Sequence, residues 1–135
     1  MTIGNPMCRL VIKETKQAPV RDVREFMHLL GALFIGNHKW KVRVSKASKP
    51  TPFSNETLIT GHDLNELLKQ DIKFEDATFS ALEGDQILFR ITSGSEWIVH
   101  STRRHWIEFF EEKFKIHEKT EMDPDLPEFD EFMQD

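Results

Sequence analysis

The chain has 135 residues, a formal net charge of −5, 39% hydrophobic residues and a single cysteine, Cys8. That length suits one ordinary domain with its own core, the lone cysteine excludes an internal disulfide, and no apolar run approaches the roughly 20 residues of a membrane-spanning helix. Charge is unevenly spread: residues 1–50 hold ten Lys and Arg against three Asp and Glu, whereas residues 51–135 hold eight against twenty.

Residues 8–14 predict a strand centred on Leu10, Val11 and Ile12. Pro19 suits the first position of a helix, where its missing N–H costs nothing. Val20, Val23, Phe26, Met27, Leu30, Leu33 and Phe34 follow at helical spacing, so a helix is expected over residues 19–33. Gly31 offers an early stop. In that case residues 32–35 would be extended, and Gly36-Asn37 would make a hairpin turn. Residues 39–45 alternate: Trp40, Val42 and Val44 face the core, and Lys39, Lys41 and Arg43 face away. The two prolines of residues 46–55 mark a loop, and Leu58-Ile59 a short strand.

A short helix is expected over residues 62–70, capped by Thr60 with Asp63 as its capping-box partner, and carrying Leu64, Leu67 and Leu68 inward. Residues 78–82, 87–92 and 96–101 read as a meander, turning at Glu83-Gly84-Asp85 and Ser93-Gly94-Ser95. Ser101 or Thr102 then caps a helix to residue 115 that turns Trp106, Phe109, Phe110 and Phe114 inward. From residue 117 the composition becomes acidic, which suggests a tail beyond the core. The expected organisation is a single α+β domain over residues 1–116 and an acidic tail over 117–135. A mostly antiparallel sheet of about five strands would carry two longer helices and one short one.

Chemistry-bearing patterns are sparse. The six histidines fall in no GxSxG or HExxH frame, and the glycines form no phosphate loop. His62-Asp63 reads as helix-start chemistry. His100 and His105 bracket a strand-to-helix turn, but no third metal ligand is evident. No catalytic residue, metal or cofactor is therefore expected.

Two charged constellations remain. The first is basic: Lys39, Lys41, Arg43, Lys46 and Lys49 lie within a strand and its loop, at a spacing that suits phosphates. The competing reading is an edge strand guarded by lysines. Arg103 and Arg104 are expected in the first turn of the last helix, where the dipole disfavours cations. An anion, Glu108 or the tail would compensate them. The second constellation is the tail, where Asp123, Asp125, Glu128, Asp130 and Glu131 surround Leu126, Phe129 and Phe132, as in segments that fold on binding.

The expected function is that of a non-enzymatic macromolecular interaction protein of inhibitor, immunity or adaptor type, binding a basic protein partner through its acidic surface and tail. The alternatives are a nucleic-acid binder using residues 38–49 with an autoinhibitory tail, and a small ligand-binding domain or enzyme. Residues 1–7 lack the pattern of a secretory leader, so a cytoplasmic location is expected, with no membrane partner.

Overall fold

The computed structural model describes residues 7–12, 27, 30–94 and 97–113, and the backbone of 117–122. Seven strands form one sheet: β1 (Met7–Ile12), β2 (Lys39–Ala47), β3 (Thr57–Thr60), β4 (Phe74–Glu83), β5 (Gln86–Ser93), β6 (Trp97–Ser101) and β7 (His117–Met122). Their order is β3-β2-β4-β5-β6-β1-β7, every neighbouring pair is antiparallel, and the sheet is open, with β3 and β7 at its edges. Three helices are seen among the described residues: α1 (Ala32–Gly36), α2 (Gly61–Lys69) and α3 (Arg104–Lys113). The architecture is mixed α+β, with more strands than the roughly five expected.

The core lies between the helices and one face of the sheet. Leu10, Trp40, Val42, Phe79, Phe89, Ile91 and Val99 point into it from the strands; Ile35, Leu64, Leu67, Ile107 and Phe110 meet them from the helices. Phe89 is the hub: its ring lies 4.7 Å from that of Trp106, 5.5 Å from Phe110 and 6.0 Å from Trp40, centroid to centroid. Burying a large apolar side chain contributes roughly 1.5–3 kcal/mol, so this cluster outweighs any surface contact. The Trp40 indole N–H, which cannot be left unpaired in such a place, donates to the Ile35 carbonyl at 3.0 Å.

Local chemistry explains most boundaries. The Thr60 hydroxyl accepts the Asp63 N–H at 3.1 Å and opens α2, as its N-cap spacing predicts. Gly61 is buried against the α1–β2 turn. A Cβ there would run into the Ile35 carbonyl oxygen and stand 2.7 Å from the His38 carbonyl oxygen. Gly84 takes φ 61° in the two-residue turn joining β4 to β5, a conformation that suits glycine. Buried Ser101 donates to the Leu88 carbonyl at 2.6 Å and accepts the Arg103 N–H at 2.9 Å, tying the end of β6 to β5 and leading into α3.

Three expectations need correction. Residues 32–35 are helical, and Gly36-Asn37 is no hairpin turn: Gly31, at φ 85°, breaks the chain between Met27 and α1, after which the Ile35 N–H bonds back to Gly31. The lysine-bearing strand is not an edge, because β3 pairs with residues 39–42 of β2 on the side away from β4. Residues 117–122 are not tail: β7 pairs with β1 from Met7–Met122 to Ile12–His117. An edge strand is held by its backbone ladder and needs no apolar alternation, so His-Glu-Lys-Thr-Glu-Met gave no signal. Most of the helix expected over residues 19–33, Phe114 and the chain beyond Met122 lie outside the described residues.

Candidate anion-binding face

In an antiparallel sheet, side chains directly opposite one another share a face. Core-facing residues therefore fix the identity of the other face. Lys41 pairs with Ser80, Ser80 with Arg90, Arg90 with His100, and His100 with Arg9. All five lie on the side away from the helices. Lys41, Arg90, His100 and Arg9 thus form one row across β2, β5, β6 and β1. Strands sit roughly 4.8 Å apart, so the row spans about 19 Å.

The row is partly sunk into the sheet. Its four basic side chains are half-buried, and Ser80 beneath them is buried. The Ser80 hydroxyl accepts the Arg90 Nε–H at 3.0 Å and fixes one edge of the guanidinium. Arg9 and Arg90 stand two strands apart, roughly 10 Å, where like charges repel by about 1–2 kcal/mol at an effective dielectric near 20. An oxyanion laid along the row would accept charge-assisted hydrogen bonds from these side chains. None of the four residues is without an interacting group.

Apolar side chains flank the row. Met7, Leu82 and Ile87 form a small buried cluster of their own at one end of the sheet. On the other side Val11 is buried and Ile98 half-buried, each two residues along its strand from Arg9 or His100. The face is therefore a cationic stripe between two apolar margins.

The expected cations behave differently from one another. Lys39 and Lys41 are on this face, Lys39 exposed and Lys41 in the row. Arg43 is also here, but it pairs with Asp76 at 3.8 Å and bonds to Ser45; Lys46 pairs with Glu75 at 3.7 Å. Lys49 is exposed in the following loop. Arg103 precedes α3 and donates to the Gln86 side-chain oxygen at 2.7 Å, so it is outside the helix's first turn; Arg104 opens the helix, exposed. The tail residues Asp123, Asp125, Leu126, Glu128, Phe129, Asp130, Glu131 and Phe132 lie outside the described residues.

Sequence reasoning missed Arg9 and Arg90, and weighed His100 only as a metal ligand beside His105. The available signal was a basic residue at an outward position of an otherwise apolar strand, as in Leu88-Phe89-Arg90-Ile91. Three such residues gave no site until the strand order aligned them.

Other features are weaker. His100 lies on the face opposite the one against which the His105-bearing α3 packs, so the two imidazoles do not converge. Among the described residues no group of three His, Cys, Asp or Glu is placed to hold a metal, and no helix is long and apolar enough to cross a membrane. A cleft of about 340 Å³ between α1 and α2 is lined by Met27, Ile35, His62, Glu66, Leu68 and Lys69. Its one acid is engaged: Lys69 donates to Glu66 at 3.0 Å, and that bond, aided by the lysine's charge, holds the carboxyl below its ordinary pKa.

Comparison with known proteins adds no identity: no family model, no curated protein and no solved structure matches the chain.

Proposed function

We propose that this protein is a non-enzymatic interaction module whose sheet face opposite the three described helices binds the phosphates of a nucleic acid. The observation that carries the reading is the register that lines up Lys41, Arg90, His100 and Arg9. Two arginines supply forked donors suited to phosphate oxygens, and the lysine supplies a point charge. Cations one or two strands apart approximate the separation of neighbouring phosphates. The large aromatic rings of the core lie on the opposite face, so recognition here is of the backbone and not of stacked bases.

The test is fluorescence anisotropy with a labelled oligonucleotide, single- and double-stranded, at about 50 mM and 200 mM salt, with labelled polylysine as the opposing probe. Oligonucleotide binding that falls steeply with salt supports the proposal. Binding of polylysine alone would transfer the function to a basic protein partner and remove it.

A further inference from the structure

The edge strand β3 lacks most of the guards that sheet edges carry. Its residues, Thr57-Leu58-Ile59-Thr60, pair with β2 on one side, and no described strand lies on the other. Edges are commonly blunted by lysine, proline or a bulge. β3 has none of these, and its β-branched residues favour pairing; its one guard is its shortness. Leu58 is 56% exposed, and of the described large apolar side chains only Leu33 is more so. Leu58 lies opposite Lys41, so it carries the cationic row to the rim of the sheet, on the same face. Thr60 lies opposite Lys39. Glu56 and Lys39 are both exposed, and neither joins an ion pair among the described residues.

We infer that β3 pairs antiparallel with β3 of a second copy of this chain, about a two-fold axis at Leu58. A two-fold perpendicular to the sheet keeps each face on its own side, so residues opposed across it come from the same face. Setting Leu58 opposite itself meets that condition, with Thr57 opposite Ile59 and Glu56 opposite Thr60 of the second copy. The two exposed leucines then cover each other. Glu56 of each copy comes beside Thr60 and Lys39 of the other, which joins the two unmatched charges, twice by symmetry. The outward backbone groups of both edges gain a ladder. Placing Ile59 on the axis instead opposes Leu58 to Thr60 and loses the match of Glu56 with Lys39. Residues 56–60 supply few contacts beside the roughly 20–30 residues a side of a standard interface, so the dimer is a transient one. Its consequence, which rests on the phosphate-binding reading, is a longer site. The two rows lie end to end on one face: five strand steps in each copy and one between them separate the two Arg9 residues, roughly 53 Å, or about fifteen base-pair steps of duplex.

The experiment is sedimentation equilibrium of the full-length chain without nucleic acid, from about 10 μM to about 1 mM. The natural protein is compared with Leu58→Lys, Glu56→Lys and the charge swap Glu56→Lys/Lys39→Glu. Leu58→Lys sets like charges directly opposite each other on the axis, at an exposed position where the fold tolerates lysine. The expected result is a reversible dimer, weakened about tenfold by each single variant and restored by the swap. A chain that stays monomeric throughout, or a dimer indifferent to Leu58→Lys, overturns the pairing. Growth beyond the dimer overturns it as well, because it would join β3 to β7 of the next copy without closure. Fluorescence anisotropy with a duplex of about sixteen base pairs separates this inference from the reading it extends. A dimer that binds no duplex upholds the pairing and refutes the nucleic-acid function. Duplex binding by a strictly monomeric chain keeps that function and refutes the pairing.

Discussion

Gly61→Ala tests the packing of α2 against the α1–β2 turn, because two effects of opposite sign compete there. Gly61 begins a helix, and alanine is favoured over glycine within helices by about 1 kcal/mol, through propensity and a less disordered unfolded chain. Against that, the new methyl would collide with the Ile35 carbonyl oxygen and stand 2.7 Å from both the Gly36 Cα and the His38 carbonyl oxygen. All three are backbone atoms and cannot rotate away. The two contacts at 2.7 Å alone require the helix or the turn to move by roughly 0.7 Å to restore ordinary contact, and the Ile35 oxygen requires about twice that. Overpacking of this kind costs about 1–3 kcal/mol, and the upper end applies where the neighbours are backbone. The net expectation is destabilisation by about 2 kcal/mol, or a Tm lower by roughly 6–10 °C for a domain of this size. Urea unfolding followed by far-UV circular dichroism reads it directly. A Gly61→Ala protein as stable as the natural chain, or more so, would refute this packing.

Other outcomes follow from the same structure. Phe89→Ala removes the ring that Trp106, Phe110 and Trp40 share, and should cost about 3–5 kcal/mol, with loss of near-UV circular dichroism. Thr60→Ala removes the α2 cap and should cost about 1 kcal/mol, with faster amide exchange at Asp63. Glu66 should titrate below the ordinary carboxylate range by NMR, and Lys69→Met should restore it, because the lysine's hydrogen bond and charge cause the shift. A depressed folded pKa adds stability above the unfolded value and loses it as pH falls through the folded one. Both side chains are exposed, so this mutation should leave the melting temperature almost unchanged.

The elements that were legible in the sequence are those where one local rule operates alone. Residues 39–45 alternate without interruption, and β2 forms there; Thr60 and Asp63 stand at cap spacing, and α2 starts between them. Elements were lost where two rules overlapped. Phe74 and Ala77 both face inward although they are three residues apart, because register shifts near Lys46 interrupt the pairing of β4 with β2. The period of two disappears there, and with it the sign that β4 begins at Phe74. β7 was invisible because an edge ladder asks little of its side chains. The charge separation was plain from composition, but the site was not. Arg9, Arg90 and His100 belong to three strands whose order only the tertiary pairing decides, and the basic residues that sequence proximity favoured include two, Arg43 and Lys46, held by Asp76 and Glu75.

The central claim is that the row across the sheet, not the lysines of one strand, meets phosphate. The direct measurement is the salt dependence of oligonucleotide binding by the full-length chain, with and without Arg9→Gln, Lys41→Gln and Arg90→Gln together. Each phosphate contact contributes about 0.7–0.9 to the slope of log K against log salt, so the triple variant should lose roughly two to three units of slope along with most of its affinity. An unchanged slope and affinity would show that phosphate, if bound, lies elsewhere on the molecule.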